Sequence, residues 1–495
     1  MNLKYVLDGL VDDSALNEDI EIQGIALDSR KVKQGFMFIA VKGAVEHGLV
    51  YLQQAIENGA SVVVFDLQGS EEFELGQQGV YPVGVNNLSE KLGVVASRFY
   101  QSPSTVLDVV GITGTNGKTT CSQFLLQLIA DCGVIGTLGW GDKSCLKQTV
   151  NTTPDAVSVQ EMLAEFVSQK KQTVVMEVSS HGLQQGRVNE VLFKGAVFTN
   201  LSRDHLDYHG TIEEYLQAKI LLFKQPELQF AVVNADDNYS DRFLAVTSEK
   251  VKRWAFSAAA KSNKFSDKLA VENVTVDEVD ISLNGITFFV CWRNERVRVE
   301  TKIVGDFNLQ NILAVITVLL AQGYALKDAA IKVNALVPVV GRMERFGGDG
   351  RPYVFVDYAH TPDALEKLLQ GIKKYCQHNL WVVFGCGGNR DAGKRLLMGK
   401  IAGDLANDIV ITNDNPRFEN SERIINDILS GCSNKNVEVI KDREQAIRSV
   451  IQRAGKNDSI VIAGKGHEDY QDINGVKQPF SDQVVVKKAL YERNR

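Results

Sequence analysis

Apolar positions along the chain fall into short runs set between amphipathic stretches. Residues 107–112, 173–178, 195–200, 353–357, 380–384, 408–412 and 459–463 are apolar, and each run is five or six residues long. Runs this short, without polar alternation, predict strands buried on both faces, as in parallel sheets. Between them the spacing changes to that of helices. Phe124, Leu125, Leu128 and Ile129 share one face of a helix expected over 119–130, with Gly133 as its stop signal. Thr211-x-x-Glu214 is a capping box that opens a helix through Leu222, and 307–321 is a helix ended by Gly323. Residues near 270–300 alternate polar and apolar, which predicts antiparallel hairpins. The first hundred residues mix short strands and turns, with a strand at 62–65 after Asn58-Gly59. Repeated strand–helix alternation after residue 100 predicts two α/β units with parallel sheets behind a smaller one. Pro103 and Pro338 punctuate the chain and place the divisions at 1–100, 101–337 and 338–495.

Length agrees with this division, since 495 residues at roughly 150 per domain make about three domains. Hydrophobic residues are 44% and charged residues 23%, enough apolar surface to exclude a largely disordered chain. The net charge of −7 disfavours a general nucleic-acid or anionic-membrane binder. The seven cysteines form no Cys-x-x-Cys pair, which argues against a zinc ribbon and a secreted disulfide framework and predicts thiols in a reducing cytoplasm. No leader pattern opens the sequence. The longest apolar run, 312–320, has nine residues, whereas a bilayer needs about twenty. No membrane insertion is expected.

Candidate chemistry concentrates after the 107–112 strand. Gly111-Ile-Thr-Gly-Thr-Asn-Gly-Lys-Thr119-Thr120 links that strand to a helix. Its glycines let backbone N–H groups wrap phosphate oxygens, Lys118 reaches the β/γ-phosphates, and the Thr119 hydroxyl suits Mg²⁺. The strict loop pattern wants glycine where Ile112 stands, so the loop is a variant. Glu177 ends a predicted strand, where ligand groups of parallel sheets collect, and is placed to hold Mg²⁺ beside the nucleotide. Ser-Arg-Asp-His205-Leu-Asp-Tyr-His209 brings imidazoles and carboxylates together; with Glu177 and the loop it favours Mg²⁺ over zinc. Lys219, read from residue type alone, is a solvent-facing helix lysine.

Thr113-Gly-Thr-Asn-Gly-Lys-Thr-Thr120 resembles the ATP loop of the Mur ligases, the ATP-dependent amide ligases of peptidoglycan assembly. Other family patterns follow in order: Asn151-Thr-Thr153, Glu177-Val-Ser-Ser-His-Gly-Leu183, Asn200-Leu-Ser-Arg-Asp-His-Leu-Asp-Tyr-His-Gly210, Gly341-Arg-Met-Glu344, Asp357-Tyr-Ala-His-Thr-Pro362 and Gly464-Lys-Gly-His-Glu468. Leu27-Asp-Ser-Arg30 and the stretch from Gly35 to Gly43 resemble the family's uridine-nucleotide domain. The resemblance covers the whole chain. It implies a three-domain α/β architecture: an N-terminal uridine-nucleotide domain, a central P-loop ATPase-like domain and a C-terminal Rossmann-like domain that binds the amino acid. Within the family the likeness is to the ligase that adds the third residue to UDP-N-acetylmuramoyl-L-alanyl-D-glutamate. Asp414-Asn-Pro-Arg417 resembles the form that takes meso-diaminopimelate rather than L-lysine.

The resemblance also implies roles. Gly114, Thr115, Asn116, Gly117, Lys118, Thr119, Thr120, Asn308, Arg342, Asp357 and His360 would meet ATP. Thr119, Glu177 and His205 would hold Mg²⁺ together with Lys219 as a carbamate, since a carbamate ligates metal and an ammonium does not. Lys118, Lys219, Glu177 and His205 form the catalytic set. Leu27 and Ser29, with Ala44, Val45 and Glu46 nearby, would take the uridine part. Asn151, Thr152, Thr153, Ser179, Gln185 and Arg187 would hold the sugar–peptide arm. Arg390 and Arg417 would offer guanidinium forks to the far carboxylate of diaminopimelate, and Asp414, Asn415 and Glu468 would take its ammonium end beside Pro416 and Gly464. The expected partners are these small molecules alone, the expected state is a monomer, and the last domain is expected to close on ATP and substrate. A nucleotide-hydrolysing switch would share the phosphate loop, but the Asn-Lys-x-Asp signature of a guanine site is absent. The folylpolyglutamate synthetases of the same superfamily lack a uridine-type first domain. The lysine-adding ligase stays open as the nearer alternative.

Overall fold

A computed structural model describes residues 1–12, 16, 19–43, 45–73, 75, 79–259, 265, 270–432 and 436–493. Ala44, expected near the uridine part, lies outside the described residues.

The first hundred residues form a more regular unit than a mix of short strands and turns. Strands β1 (Gly24–Ala26), β2 (Phe36–Ala40), β3 (Ala60–Asp66) and β4 (Tyr81–Val85) make one sheet in that order, every pair parallel. Apolar clusters cover both faces, with Met37, Ile39, Val62 and Val64 on one side and Phe38, Ala40, Val63 and Phe65 on the other.

The central unit is built on eleven strands: β5 (Asp108–Thr113), β6 (Cys132–Gly136), β7 (Gly139–Asp142), β8 (Cys145–Lys147), β9 (Thr173–Glu177), β10 (Phe193–Phe198), β11 (Phe230–Asn234), β12 (Lys252–Phe256), β13 (Val271–Ser282), β14 (Gly285–Trp292) and β15 (Glu295–Thr301). Their spatial order is β15-β14-β13-β12-β11-β10-β5-β9-β6-β7-β8. Pairing is parallel from β13 through β6 and antiparallel at both flanks: in β13–β14–β15, as the alternation near 270–300 predicted, and in β6–β7–β8, which no sequence pattern announced. The Asp306–Ala321 helix packs on this sheet over β11 and β12, beside the Lys118–Leu128 helix, and is buried on all sides from Ile312 to Leu320. The apolar run 312–320 is therefore core. Among the described residues no helix is long and apolar enough to cross a membrane.

Gly133 is not a helix stop. The helix ends at Leu128, with Ile129 extended as its C-cap, and Gly133 lies inside β6. A β-carbon there would sit 2.6 Å from the Phe166 ring, so glycine is required by close packing across the sheet face. The capping box forms as expected: Thr211 Oγ1 accepts from Glu214 N–H and Glu214 accepts from Thr211 N–H. Its helix, Ile212–Ile220, tightens into a 3₁₀ turn at Leu221–Lys224.

The last unit has β16 (Glu344–Gly347), β17 (Tyr353–Asp357), β18 (Leu380–Phe384), β19 (Asp408–Ile411), β20 (Asn436–Val439) and β21 (Ser459–Ala463). They are ordered β16-β17-β21-β18-β19-β20, parallel except for β16, and the hairpin β22 (Tyr470–Ile473) and β23 (Val476–Pro479) stands beside them.

Candidate active site

Strand order locates the site. β5 lies between β9 and β10. The chain leaves β5 toward β6 and β9 on one side and later adds β10 and β11 on the other. Connections diverge at such a point and leave a crevice at the carboxyl ends of the strands. A cavity of about 370 Å³ opens there.

The phosphate loop forms its floor. Gly114 has φ +147°, and a β-carbon on it would lie 2.0 Å from Thr199 Oγ1. Glycine is thus needed at 114, while Ile112 is a buried residue of β5, which accounts for the variant pattern. Residues after β10 pin the loop. Thr115 N–H donates to the Asn200 carbonyl (2.8 Å), Asn116 N–H donates to Asn200 Oδ1 (3.0 Å), and Thr199 Oγ1 donates to the Asn116 carbonyl (2.6 Å). Thr115, Asn116, Gly117, Lys118, Thr119 and Thr120 all line the cavity. Lys118 Nζ donates to the Gly114 and Thr115 carbonyls, and burial holds its ammonium below the usual lysine value.

Glu177, at the end of β9, is fully buried. Its carboxylate accepts from the Thr119 hydroxyl (2.8 Å), the Ser122 hydroxyl (3.3 Å), Thr137 N–H (3.0 Å) and the Thr137 hydroxyl (3.0 Å). His205 lies across the cavity in a left-handed conformation, 3.4 Å from Asp204, and burial lowers its pKa. His209 turns away and shares a hydrogen bond of 2.8 Å with Ser180 Oγ.

Lys219 is not solvent-facing. It is 1% exposed, donates to the Gly114 carbonyl (3.0 Å) and lies 4.3 Å from the Tyr215 ring centroid. Burial first, then the Lys118 ammonium, hold it well below the usual lysine pKa. A lowered pKa favours the neutral amine, which is the form that adds CO₂. Among the described residues no three His, Cys, Asp or Glu side chains gather as a ready metal site. The donors that face the loop are instead the Thr119 hydroxyl and the Glu177 carboxylate, hard oxygens that suit Mg²⁺ completed by phosphate oxygens.

The last unit closes the cavity from above. Arg342 donates to Thr119 Oγ1 (3.3 Å) and stacks on Tyr358, 4.6 Å from its centroid. Asp357 accepts from Met343 and Ala359 N–H groups, and with His360 it lines the cavity. Asn308 is placed differently: it is buried, bonded to the Val304 carbonyl and to Asn311, while Asn311, Gln310 and Phe307 face the cavity.

Thr152, Thr153, Ser179, Gln185 and Arg187 are brought together beside Glu177. Thr152 Oγ1 lies 3.0 Å from Thr137 Oγ1; Thr153 Oγ1 bonds the Glu177 carbonyl (2.9 Å) and lies 3.1 Å from Ser179 Oγ. Arg187 donates to the Thr153 carbonyl and to Gln185 Oε1. Asn151 is exposed at the start of the same loop. Leu27, Ser29, Val45 and Glu46 belong to the first unit and are not among the residues that line this cavity. Ser29 Oγ donates to Gln54 Oε1 (2.6 Å), Glu46 accepts from Tyr51, and Val45 is 98% exposed.

A second group collects at the carboxyl ends of β18, β19 and β21. Asn415 Nδ2 donates to Glu468 (2.8 Å), and a β-carbon on Gly464 would lie 2.5 Å from Asp414 Oδ2. Arg417 donates to the Gly388 carbonyl (2.8 Å), and Arg390 and Arg417 flank Gly387, with Pro416 buried behind. Lys465, which sequence reasoning passed over between Gly464 and Glu468, is fully buried and donates to Asn415 Oδ1 (2.9 Å) and Glu468 (2.8 Å). Thr137, Asn311 and Asp363 were also missed; none lies in a distinctive local pattern.

Comparison with known proteins agrees in every part of the chain. The Mur ligase family catalytic domain matches residues 21–100, the Mur ligase middle domain 112–319, and the Mur ligase glutamate ligase domain 341–466. The UDP-N-acetylmuramoyl-L-alanyl-D-glutamate--2,6-diaminopimelate ligase of Coxiella burnetii is 42% identical, covering 99% of this chain and 100% of its own. A solved structure of a ligase of that same name superposes with a TM-score of 0.70 at 36% identity, covering 100% of this chain and 99% of the other. The MurF ligase of Thermotoga maritima, solved in complex with ADP, shares the fold at a TM-score of 0.65 and 16% identity, covering 96% of this chain and 99% of the other. With three family domains matched in order and a relative aligned end to end, the chain belongs to the Mur ligase family.

Proposed function

We propose that the protein is an ATP-dependent ligase that joins meso-diaminopimelate to UDP-N-acetylmuramoyl-L-alanyl-D-glutamate, yielding the UDP-N-acetylmuramoyl-tripeptide, ADP and phosphate for peptidoglycan. The observation that carries this reading is a phosphate-loop cavity walled by the last unit, whose own strand ends hold paired arginines and carboxylates. A nucleotide hydrolase needs no such second site.

The D-glutamyl carboxylate attacks the γ-phosphorus, the bond to ADP breaks, and an acyl phosphate forms. The amine of the amino acid then attacks the acyl carbon; phosphate departs and the nitrogen loses a proton. Such chemistry depends on alignment and charge neutralisation rather than on a protein nucleophile. Lys118 and the N–H groups opening its helix neutralise the phosphates. Thr119 and Glu177 would hold one Mg²⁺, and His205 with a Lys219 carbamate a second. When bound, Mg²⁺ offsets phosphate charge. Arg342 carries a further cation to the Thr119 side of the cavity. Thr152, Thr153, Ser179, Gln185 and Arg187 orient the peptide arm, and Leu27 and Ser29 the uridine part. Asp414, Asn415 and Glu468 take the ammonium end of the amino acid and Arg417 with Arg390 its far carboxylate. Lysine would leave that fork unpaired. We take the protein to act as a cytoplasmic monomer.

The test is phosphate release with product mass, from Mg-ATP and the UDP-dipeptide, with meso-diaminopimelate, L-lysine or no amino acid. Product with meso-diaminopimelate alone is expected. A lysine product keeps the ligase and overturns the fork; equal release in all tubes without product leaves only a hydrolase.

A further inference from the structure

Arg395, in the first turn of the Gly393–Leu405 helix, is with Arg443 among the largest fully buried side chains of the described residues, and the mechanism above does not use it. Burying a guanidinium is costly unless it is paired and hydrogen-bonded. Its partners come from both sides: Nη2 donates to the Gly387 carbonyl on the loop after β18 (3.5 Å), and the carboxylates come from beyond β19. Nη1 and Nη2 donate to the two oxygens of Glu419 (2.8 and 2.7 Å) in a bidentate fork, and Nη1 also donates to Asp427 (2.9 Å). Arg395 holds the Glu419 carboxyl down at about 2, so that carboxylate is ionised at any working pH.

Glu419 does not end the network. Its Oε2 also accepts from Asn389 N–H (3.0 Å), and Asn389 Oδ1 accepts from Phe418 N–H (3.1 Å). Gly388 N–H donates to the Asn415 carbonyl (2.9 Å), and Arg417 donates to the Gly388 carbonyl (2.8 Å). The loop after β18 and the loop after β19 are thereby joined face to face. They meet so closely that a β-carbon on Gly388 would lie 2.0 Å from the Pro416 carbonyl oxygen. Arg417 is held in a left-handed conformation, φ +52°, which a non-glycine residue keeps only when its surroundings enforce it. The residues assigned to the far carboxylate, Arg390 and Arg417, lie one on each of these loops.

We infer that Arg395, through Glu419, is a positioning residue that sets the separation of Arg390 and Arg417 and thereby the preference for an amino acid with a second carboxylate. This rests on the proposed function. A fork displaced by about 1 Å loses on the order of 10²-fold in efficiency.

The experiment compares Arg395→Gln, Arg395→Lys and Glu419→Gln with the wild type. It reads KM for each substrate, kcat, and the ratio of meso-diaminopimelate to lysine incorporation. Glu419 is partly exposed, so its variant keeps the fold in hand if Arg395→Gln does not fold. The expected result is a KM for meso-diaminopimelate raised about tenfold or more, a lowered incorporation ratio, and KM values for ATP and the UDP-dipeptide left unchanged. Arg395→Lys, which keeps the charge, should fall between wild type and Arg395→Gln. Folded variants with unchanged KM for meso-diaminopimelate and unchanged ratio overturn the inference alone, as does an equal rise in all three KM values. A wild type that makes no product with meso-diaminopimelate overturns the proposed function and this inference with it.

Discussion

Two buried lysines have opposite surroundings, and the difference separates chemistry from stability. Lys465 is an ion among partners: Glu468 at 2.8 Å, Asn415 at 2.9 Å and Asp414 at 4.0 Å. Lys219 has a carbonyl, an aromatic face and a second lysine, and is held well below its ordinary pKa. Removing one partner of a buried ion pair strands the other charge. Lys465→Met is therefore expected to lose about 3–5 kcal/mol of stability. Lys219→Met replaces a buried amine of lowered pKa with an apolar chain of similar length and is expected to cost less than about 1.5 kcal/mol in CO₂-free buffer, yet to abolish tripeptide formation. Urea unfolding beside the ligation assay checks both. A large stability loss in Lys219→Met would mean that the ammonium is charged in place and would remove the basis for a carbamate. Residue type alone had placed Lys219 in solvent, because lysines are mostly exposed; Gly114, the acceptor that draws it inward, is 105 positions away. Arg395 was unreadable for the same reason, since Glu419 and Asp427 lie 24 and 32 positions further on.

At the scale of elements, the strands that carry the site were legible because sheets covered on both faces leave uninterrupted apolar runs. β9 and β10 could be read this way, and so could β17, β18 and β21. β6 was not, because its Gly133 reads as punctuation while its real duty is to admit the Phe166 ring. The parallel sheet of the first unit escaped because β1 has only three residues and β2 follows it after a turn. The phosphate loop needed only local pattern. Thr137 and Asn311, which complete its surroundings, are ordinary residues placed by the sheet and by a distant helix. The helix that holds Lys219 is short and depends on its start. Its two reciprocal capping bonds satisfy N–H groups that nine residues of helix cannot satisfy themselves. Thr211→Ala should cost about 1 kcal/mol. It should also raise amide exchange across Ile212–Ile220 more than in the Asp306–Ala321 helix, which core packing holds. Uniform exchange in both helices would show that tertiary contacts, not the cap, maintain the short one.

Across the whole molecule, ligation demands that a carboxylate, a phosphoryl group and an amine meet with water excluded, because an acyl phosphate exposed to water hydrolyses. The amine site lies on the last unit and the phosphate loop on the central one. What joins them is partly apolar, with Val304, Leu283 and Phe307 of the central unit packed against the core of the last one, and partly polar near the loop. Asp363, in the first turn of the Pro362–Lys373 helix, accepts from Asn116 Nδ2 and from Ser202 Oγ, both at 2.9 Å, and Arg342 reaches Thr119 at 3.3 Å. Further out, Arg345 donates to the Leu283 carbonyl (2.6 Å) and Lys374 pairs with Asp306. A small junction of mixed polar and apolar contacts permits movement between units, and ligands that touch both sides shift the balance toward closure by their differential affinity. Scattering should therefore show a smaller radius of gyration with a non-hydrolysable ATP analogue and the UDP-dipeptide together than with neither. The bonds that Asp363 accepts from Asn116 and Ser202 cross between units, while the one from Lys367 stays within its own helix. A hydrogen bond to a charged group contributes about 1.5–3 kcal/mol, so Asp363→Ala should lower the closed-to-open ratio about tenfold or more. In the ligation assay that loss should appear as phosphate released without matching tripeptide, because an acyl phosphate formed in an open molecule meets water before it meets the amine. Unchanged coupling in Asp363→Ala would mean that the ligands themselves, bridging both units, suffice to hold the site shut. No compaction with both ligands bound would mean that the two units keep a fixed spacing and that the amine reaches the acyl carbon without domain movement.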